Sequence, residues 1–459
     1  MREGLGEAGV SKLCRLTKNA IWEAIANSRL DGVTLESIAI TSPPDKTRYA
    51  PGECFDPTGM AVRALFSNGQ TAYIRTENLT FTPSGPLEDG TDCVTVCFQF
   101  GKTVAPAQQA IRTAYRIWGV RWDGSATSRW TRTDEAADFE DPVPYVAGGA
   151  GFGSPFDGLQ PWAGMVKSER SGGIMVAIPK FWYRLTQEGE GLQIRIADGP
   201  AAGFQLSPAH MDRGDGRGER DVVYIGRYHC AQDSWKSETG KLPQTQTRRL
   251  EARAAIHALG EKIWQTDFAL RFTLWLLYLV EFADWNSQKT LGLDCGNGTG
   301  TEQMGYTDGM PYHTGTVRDS REVYGLGVQY RNIEGLWGNA QDWCDGCYNL
   351  SDGMYVILNP ENFDDKANGI RIGQPVADIA YPSGFAVSTA AGFPVFYASR
   401  GDGTETAGSC DYWTYHGTYK CLITGGYFDQ SGRAGLFNVQ CNSAGALGDG
   451  VGCRLQELP

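Results

Sequence analysis

Apolar residues fall into two periods along this chain. Near the start, Val10, Leu13, Thr17, Ala20, Ile21 and Ala24 line one stripe, which predicts a helix over Ser11 to Ser28 with Ser11 as its N-cap. A lone helix of that length is marginal in water, so it needs a partner, either a copy of itself or another surface. From residue 35 the period becomes two. Ile38 and Ile40 alternate, then Val62, Ala64 and Phe66, and Asn68-Gly69 turns the chain into Thr71 to Ile74. Val94, Val96, Phe98 and Phe100 form another alternating strand, with Cys93 and Cys97 on its opposite face as structural thiols. Residues 35–113 therefore read as a small β-sandwich, after a helical lead at 1–34. Residues 114–160 are rich in Gly, Pro, Asp and Trp and read as a linker. From 161 to 459 the chain reads as one large domain. Strands are expected at Ile174 to Trp182 and Leu192 to Ala197, and a helix at Leu250 to Leu259 closed by Gly260. Asp267 caps a second helix, Phe268 to Phe282, which is apolar on all sides and must be buried. After Lys289 short strands alternate with long Gly-rich loops. The expected class is α+β.

Composition narrows the function. The chain of 459 residues has 59 glycines and 13 tryptophans, which suits a loop-rich protein that presents aromatic surface. Its net charge is −12 and no basic run occurs, which excludes a phosphate-backbone partner. Met1 to Val10 has no basic segment leading into an apolar one. The longest apolar stretch, Phe268 to Ala283, holds Arg271 and Glu281 and is short for a span. Synthesis in a cytosol without membrane insertion is expected. There the 12 cysteines are expected to stay reduced at synthesis, with Cys410 and Cys421, or Cys441 and Cys453, as pairings open to a released protein.

Candidate chemistry is sparse. Five histidines argue against metal or triad sites, and Cys344-Asp345-Gly346-Cys347 lacks the second ligand pair of a zinc site. No metal or cofactor is expected. Arg213-Gly214-Asp215 lies in a Gly-rich loop whose acids Asp212, Asp215, Glu219 and Asp221 do not follow the EF-hand spacing, so a solvated loop is expected. His229-Cys230 has no neighbouring acid in sequence to activate a thiol.

Two sets of segments carry a resemblance. Leu35-Glu36-Ser37-Ile38-Ala39-Ile40, Tyr49, Phe55 to Met60 and Ser67-Asn68-Gly69 are similar to bacterial Ig-like repeats. Gly335-Leu336-Trp337-Gly338-Asn339-Ala340-Gln341-Asp342-Trp343 opens the second set. Thr424 to Phe428 with Ala434-Gly435-Leu436-Phe437 follows, and Val451-Gly452-Cys453-Arg454-Leu455 closes it. In this order they resemble the C-type-lectin-like fold shared by formylglycine-generating enzymes and by the variable proteins of diversity-generating retroelements. Read from the residues alone, Trp337 and Trp343 pin a tight turn, Gly425-Gly426 permits close approach, and Leu436 and Phe437 are core.

The two branches of that resemblance separate by residue type. The oxidase branch needs a reactive cysteine pair, and Asp429 to Val439 contains no cysteine. The variable-protein branch implies a non-catalytic receptor-binding protein of a phage tail fibre, displayed on the virion. Its partners would be a host cell-surface protein or glycan, tail or baseplate proteins, and further copies of itself in a trimer. The implied binding face comprises Tyr412, Trp413, Tyr415, His416 and Tyr419, then Tyr427, Phe428, Asp429, Gln430 and Arg433, then Asn438, Gln440 and Asn442. Rings with few rotors mixed with short polar groups suit recognition. Neighbours on a strand point to opposite faces, so Tyr412 to His416 cannot all be buried. Adenine-directed change of an Asn codon does not reach Trp or Gln, which sets Trp413, Gln430 and Gln440 apart. A formylglycine-generating-type oxidase and a structural decoration protein of the virion are the alternatives. Light scattering of the full chain at micromolar concentration should give a trimer mass; a monomer would remove the oligomer from this reading.

Overall fold

The structure is a computed structural model that describes residues 32–459, apart from 296–297, 319–324, 365–367, 377, 416–417 and 419. The expected helix at Ser11 to Ser28 lies outside the described residues. The chain divides into two compact units, Met1–Tyr115 and Arg116–Pro459.

In the first unit the period-two expectations hold. Leu35–Ser42, Ala61–Phe66 and Thr71–Ile74 form one antiparallel sheet, and Leu79–Thr82, Cys93–Phe100 and Thr103–Ala110 form another. Leu35, Ile38, Val62, Ala64 and Phe66 from the first sheet share a core with Leu79, Val96 and Ala105 from the second. The hairpin turns where expected: Gly69 takes φ 75, and the Asn68 side chain accepts from the Gln70 amide at 3.0 Å.

The second unit departs from expectation in several places. Residues 116–160, most of the segment read as a linker, belong to this unit, and several of them to its core. Strand Ile117–Trp122 lies between Thr131–Asp134 and Gly191–Ala197, and Trp118, Val120, Trp122 and Trp130 are buried. Turn-rich composition hid these residues because an indole every few positions packs a strand as well as it decorates a loop. The strand expected at Ile174 to Trp182 splits into Gly173–Pro179 and Trp182–Glu188. The first helix runs Arg249–His257, and Gly260, whose amide donates to the His257 carbonyl, does not take the left-handed conformation of a glycine cap.

These corrections add up to a change of class. Strands hold 39% of the structure and helices 10%, so the fold is β-rich, not α+β. The described helices are Arg249–His257, Phe268–Phe282 and Ser287–Leu291. The Ig-like and C-type-lectin-like descriptions attached to the α+β class are withdrawn with it. The extra strands form because segments after Lys289 find partners far along the chain. The largest sheet joins Ile370–Gly373, Gly353–Val356, Gln341–Leu350, Lys420–Thr424, Val439–Asn442, Trp413–Tyr415 and Asp378–Ala380, with Val451–Gly452 against Gln341–Asp342.

The helix Phe268–Phe282 behaves as its composition requires. Every residue in it is buried, and Asp267 caps it by accepting from the Leu270 amide at 2.9 Å. Arg132, from the segment read as linker, donates to the Val280 and Glu281 carbonyls at 2.9 and 2.7 Å and so satisfies the helix end. Among the described residues no helix is long and apolar enough to cross a membrane.

Glu281 on this helix is fully buried and takes four donors. Arg331 binds it in a fork at 2.5 and 2.8 Å, and the Tyr330 and Ser154 hydroxyls donate at 3.0 and 2.8 Å. Removing one partner of such a pair leaves an uncompensated charge in the core. Arg331→Met is expected to cost roughly 3–5 kcal/mol in urea unfolding, and the double replacement with Glu281→Leu should recover part of that loss. A loss below about 1 kcal/mol for the single variant would contradict this assignment.

Candidate functional site

The three sequence segments that carry the resemblance converge around buried charge. Arg454, near the chain end, is fully buried. Its guanidinium donates to the carbonyls of Gly226, Arg227, Glu334 and Gly335 at 2.8–3.0 Å and to Asp342 at 3.3 Å. Burial pushes the Asp342 carboxyl up, but His229, bonded at 2.7 Å, and Arg454 outweigh it and hold the group at about 2. Trp337 and Trp343 are buried as expected, and their indoles donate to the Gly292 and Thr247 carbonyls. Gly425, at φ 96, packs where a Cβ would come within 2.5 Å of the Leu336 carbonyl oxygen. The tight approach of Leu336 to Gly425 fixes where the following loop leaves the sheet.

That loop, residues 427–433, closes a concavity of about 460 Å³ against the central strands of the largest sheet. Its walls are Tyr427, Phe428, Asp429 and Gln430 from the loop, and Gln440, Cys441 and Asn442 from the next strand. Gln341 and Ile423 come from the neighbouring strands, and residues 448–451 come from the terminal loop. Tyr427 and Phe428 are half-buried and meet edge to face at 5.2 Å. Gly450 lies under the Tyr427 ring, where a Cβ would approach to 2.2 Å. The amides of Gln430 and Gln440 exchange hydrogen bonds at 3.1 and 2.7 Å, and Gln440 also donates to Gln341 and Asn438.

Of the residues expected on the binding face, Tyr427, Phe428, Asp429, Gln430, Gln440 and Asn442 therefore come together. Tyr412 and Arg433 pair beside the same loop, with the guanidinium 5.5 Å from the ring centroid. His416 and Tyr419 lie outside the described residues. Trp413, Tyr415 and Asn438 must be withdrawn, because all three are buried. Trp413 and Tyr415 share the inner face of strand Trp413–Tyr415, as alternation demands, while Thr414 between them is half-exposed. Trp413 packs against Trp275 and Phe385, and the Tyr415 hydroxyl donates to the Leu350 carbonyl at 2.6 Å. The Asn438 side chain donates to the Arg433 carbonyl at 2.7 Å and holds the loop closed. Trp413, Gln430 and Gln440, the residues outside the adenine-directed codon set, are engaged by the scaffold or by one another, and so are Tyr415 and Asn438, which lie within it.

Sequence reasoning missed Gln341, Cys441 and residues 448–451. The signal for the last was the run Gly445-Ala446-Leu447-Gly448-Asp449-Gly450, which is loop composition directly before the terminal segment.

The other candidates carry no chemistry. All described cysteines are free thiols, so neither Cys410 with Cys421 nor Cys441 with Cys453 is bridged. Cys344 and Cys347 are buried in the main core. In the acidic loop the Arg213 side chain is buried against Asp267, and Asp215 and Asp221 pair with Arg220 and Lys180. The Arg213-Gly214-Asp215 tripeptide is therefore not presented. Among the described residues no group of three or more metal-ligating side chains converges. No protein-family model matches the chain, and no curated protein matches it.

Cys441 is the one thiol in the wall of the concavity. Burial pushes its pKa up to about 12, and its sulfur donates to the Thr414 carbonyl at 3.0 Å. A thiol so held is not a thiolate near neutrality and is a poor nucleophile. Iodoacetamide at pH 7.5 should leave Cys441 unmodified in the folded protein and alkylate it after denaturation, as read by peptide mass spectrometry. Rapid labelling of the folded chain would reopen the oxidase alternative.

Proposed function

We propose that this chain is a non-catalytic recognition protein, a receptor-binding component of a phage tail fibre, and that it contacts the host surface through the concavity at loop 427–433. The observation that supports this most directly is the composition of the wall: two half-exposed rings, Tyr427 and Phe428, beside amides and carboxylates, on a backbone held by buried Trp337, Trp343, Arg454 and Leu436. Rigid rings that cover much area at little entropic cost, set among groups able to both donate and accept, are what a binding face uses. A rigid scaffold beneath lets the loop side chains change without unfolding the domain. The high pKa of Cys441 supports a site that binds rather than one that oxidises. The phage assignment rests on the resemblance of Gly335 to Trp343, Thr424 to Phe437 and Val451 to Leu455 to retroelement-diversified proteins, and these segments are the ones that hold the loop.

Attachment of the full chain to a panel of bacterial cells, alongside thermal melting, tests the face. Phe428→Ala and Tyr427→Ala should each weaken attachment by roughly 1–4 kcal/mol with little change in melting. Trp413→Ala, by contrast, should lower stability by about 3–5 kcal/mol, as for any buried indole. Attachment that survives both loop variants would refute this face.

A further inference from the structure

The polar wall of the concavity has a definite character. It holds the side-chain amides of Gln341, Gln430, Gln440 and Asn442, of which Gln430 and Gln440 are bonded to one another, and the carboxylates of Asp429 and Asp449, and none of its lining residues is Lys or Arg. Taking the concavity as the binding face, we infer that its ligand is an uncharged, hydroxyl-rich molecule, a neutral saccharide of short reach. An anionic polysaccharide would bring charge against two carboxylates with no cation in the lining to receive it, since Arg433 of the same loop lies over the Tyr412 ring, on a chain whose net charge is already −12. A hydroxyl both donates and accepts, and so does a carboxamide, while a carboxylate accepts only. The lining is thus matched to hydroxyl groups in both directions. Asp449 already accepts from Gln246 at 2.5 Å, which ties it to the protein, and the cationic control below tests whether the two carboxylates take an ammonium or guanidinium group instead. Tyr427 and Phe428 supply flat apolar area for the C–H face of a sugar ring. The volume of about 460 Å³ falls within the range of small-ligand sites.

The test is a glycan array probed with the full chain, carrying neutral, sialylated, phosphorylated and amino-sugar saccharides, with oligolysine as a cationic control. Hits are followed by calorimetry at low and high sodium chloride. The expected result is binding to neutral saccharides only, insensitive to salt because no charge pair is formed. Phe428→Ala and, as a milder second variant, Asn442→Ala should each weaken it about tenfold at unchanged melting temperature. Preference for anionic saccharides or oligolysine, marked salt dependence, or no saccharide binding at all would overturn the ligand class. Cell attachment by Phe428→Ala then separates the two levels. If it is still lost, the face stands and only the ligand class falls; if attachment is unchanged, the face itself is wrong.

Discussion

A helix with no exposed side can carry a charge only if the rest of the fold supplies its partners, and Phe268–Phe282 carries two. Glu281 is met by the adjacent Tyr330 and Arg331 and by Ser154, which come from two separate stretches of chain. Arg271 donates to the Leu336 carbonyl at 2.8 Å, and Trp275 donates to the Leu436 carbonyl at 2.8 Å. Burial draws the Arg271 guanidinium down to about 10, which leaves it charged at neutral pH and in need of those carbonyls. The helix thereby fixes the two Gly-rich segments that hold loop 427–433. Their positions supply the carbonyls on which these two buried side chains end.

Arg454 performs the same service from the other end of the chain. It donates to four carbonyls in the core, and it shares Asp342 with His229. Between them, Arg271 and Arg454 bind both sides of the segment Glu334 to Leu336. That explains why the segment can make a glycine-rich turn at Gly335 and Gly338 without fraying. Local glycine freedom is offset by long-range hydrogen bonds to buried guanidinium groups.

The loop at 427–433 inherits this rigidity. Asn438 closes it from below, the Gln430–Gln440 amide pair ties its end to the neighbouring strand, and Gly450 seats the Tyr427 ring. The side chains left half-exposed or exposed there are Tyr427, Phe428, Asp429, Gln430, Ser431, Arg433, Gln440 and Asn442. A face with few variable positions on a braced backbone can accept different side chains at constant fold, because none of those side chains carries a core contact.

Much of this was legible in the sequence where the signal is local. The period-two strands at Ala61–Phe66 and Cys93–Phe100, the Asn68-Gly69 turn, the wholly apolar helix with Asp267 as its cap, and the buried Trp337, Trp343, Leu436 and Phe437 follow from alternation, turn chemistry and the cost of exposing apolar area. Of the residues the sequence singled out for a binding face, Tyr427 to Gln430, Gln440 and Asn442 line one concavity. Only the tertiary structure decided the rest. It turned much of 114–160 from linker into core strands, and it made the class β-rich, by pairing stretches far apart in the chain, such as Ile117–Trp122 with Gly191–Ala197. It also sorted Trp413 and Tyr415 from Tyr427 and Phe428. Aromatic residues look alike in sequence, and whether a ring is buried depends on what the fold brings against it: Trp275 and Phe385 for Trp413, open space for Phe428.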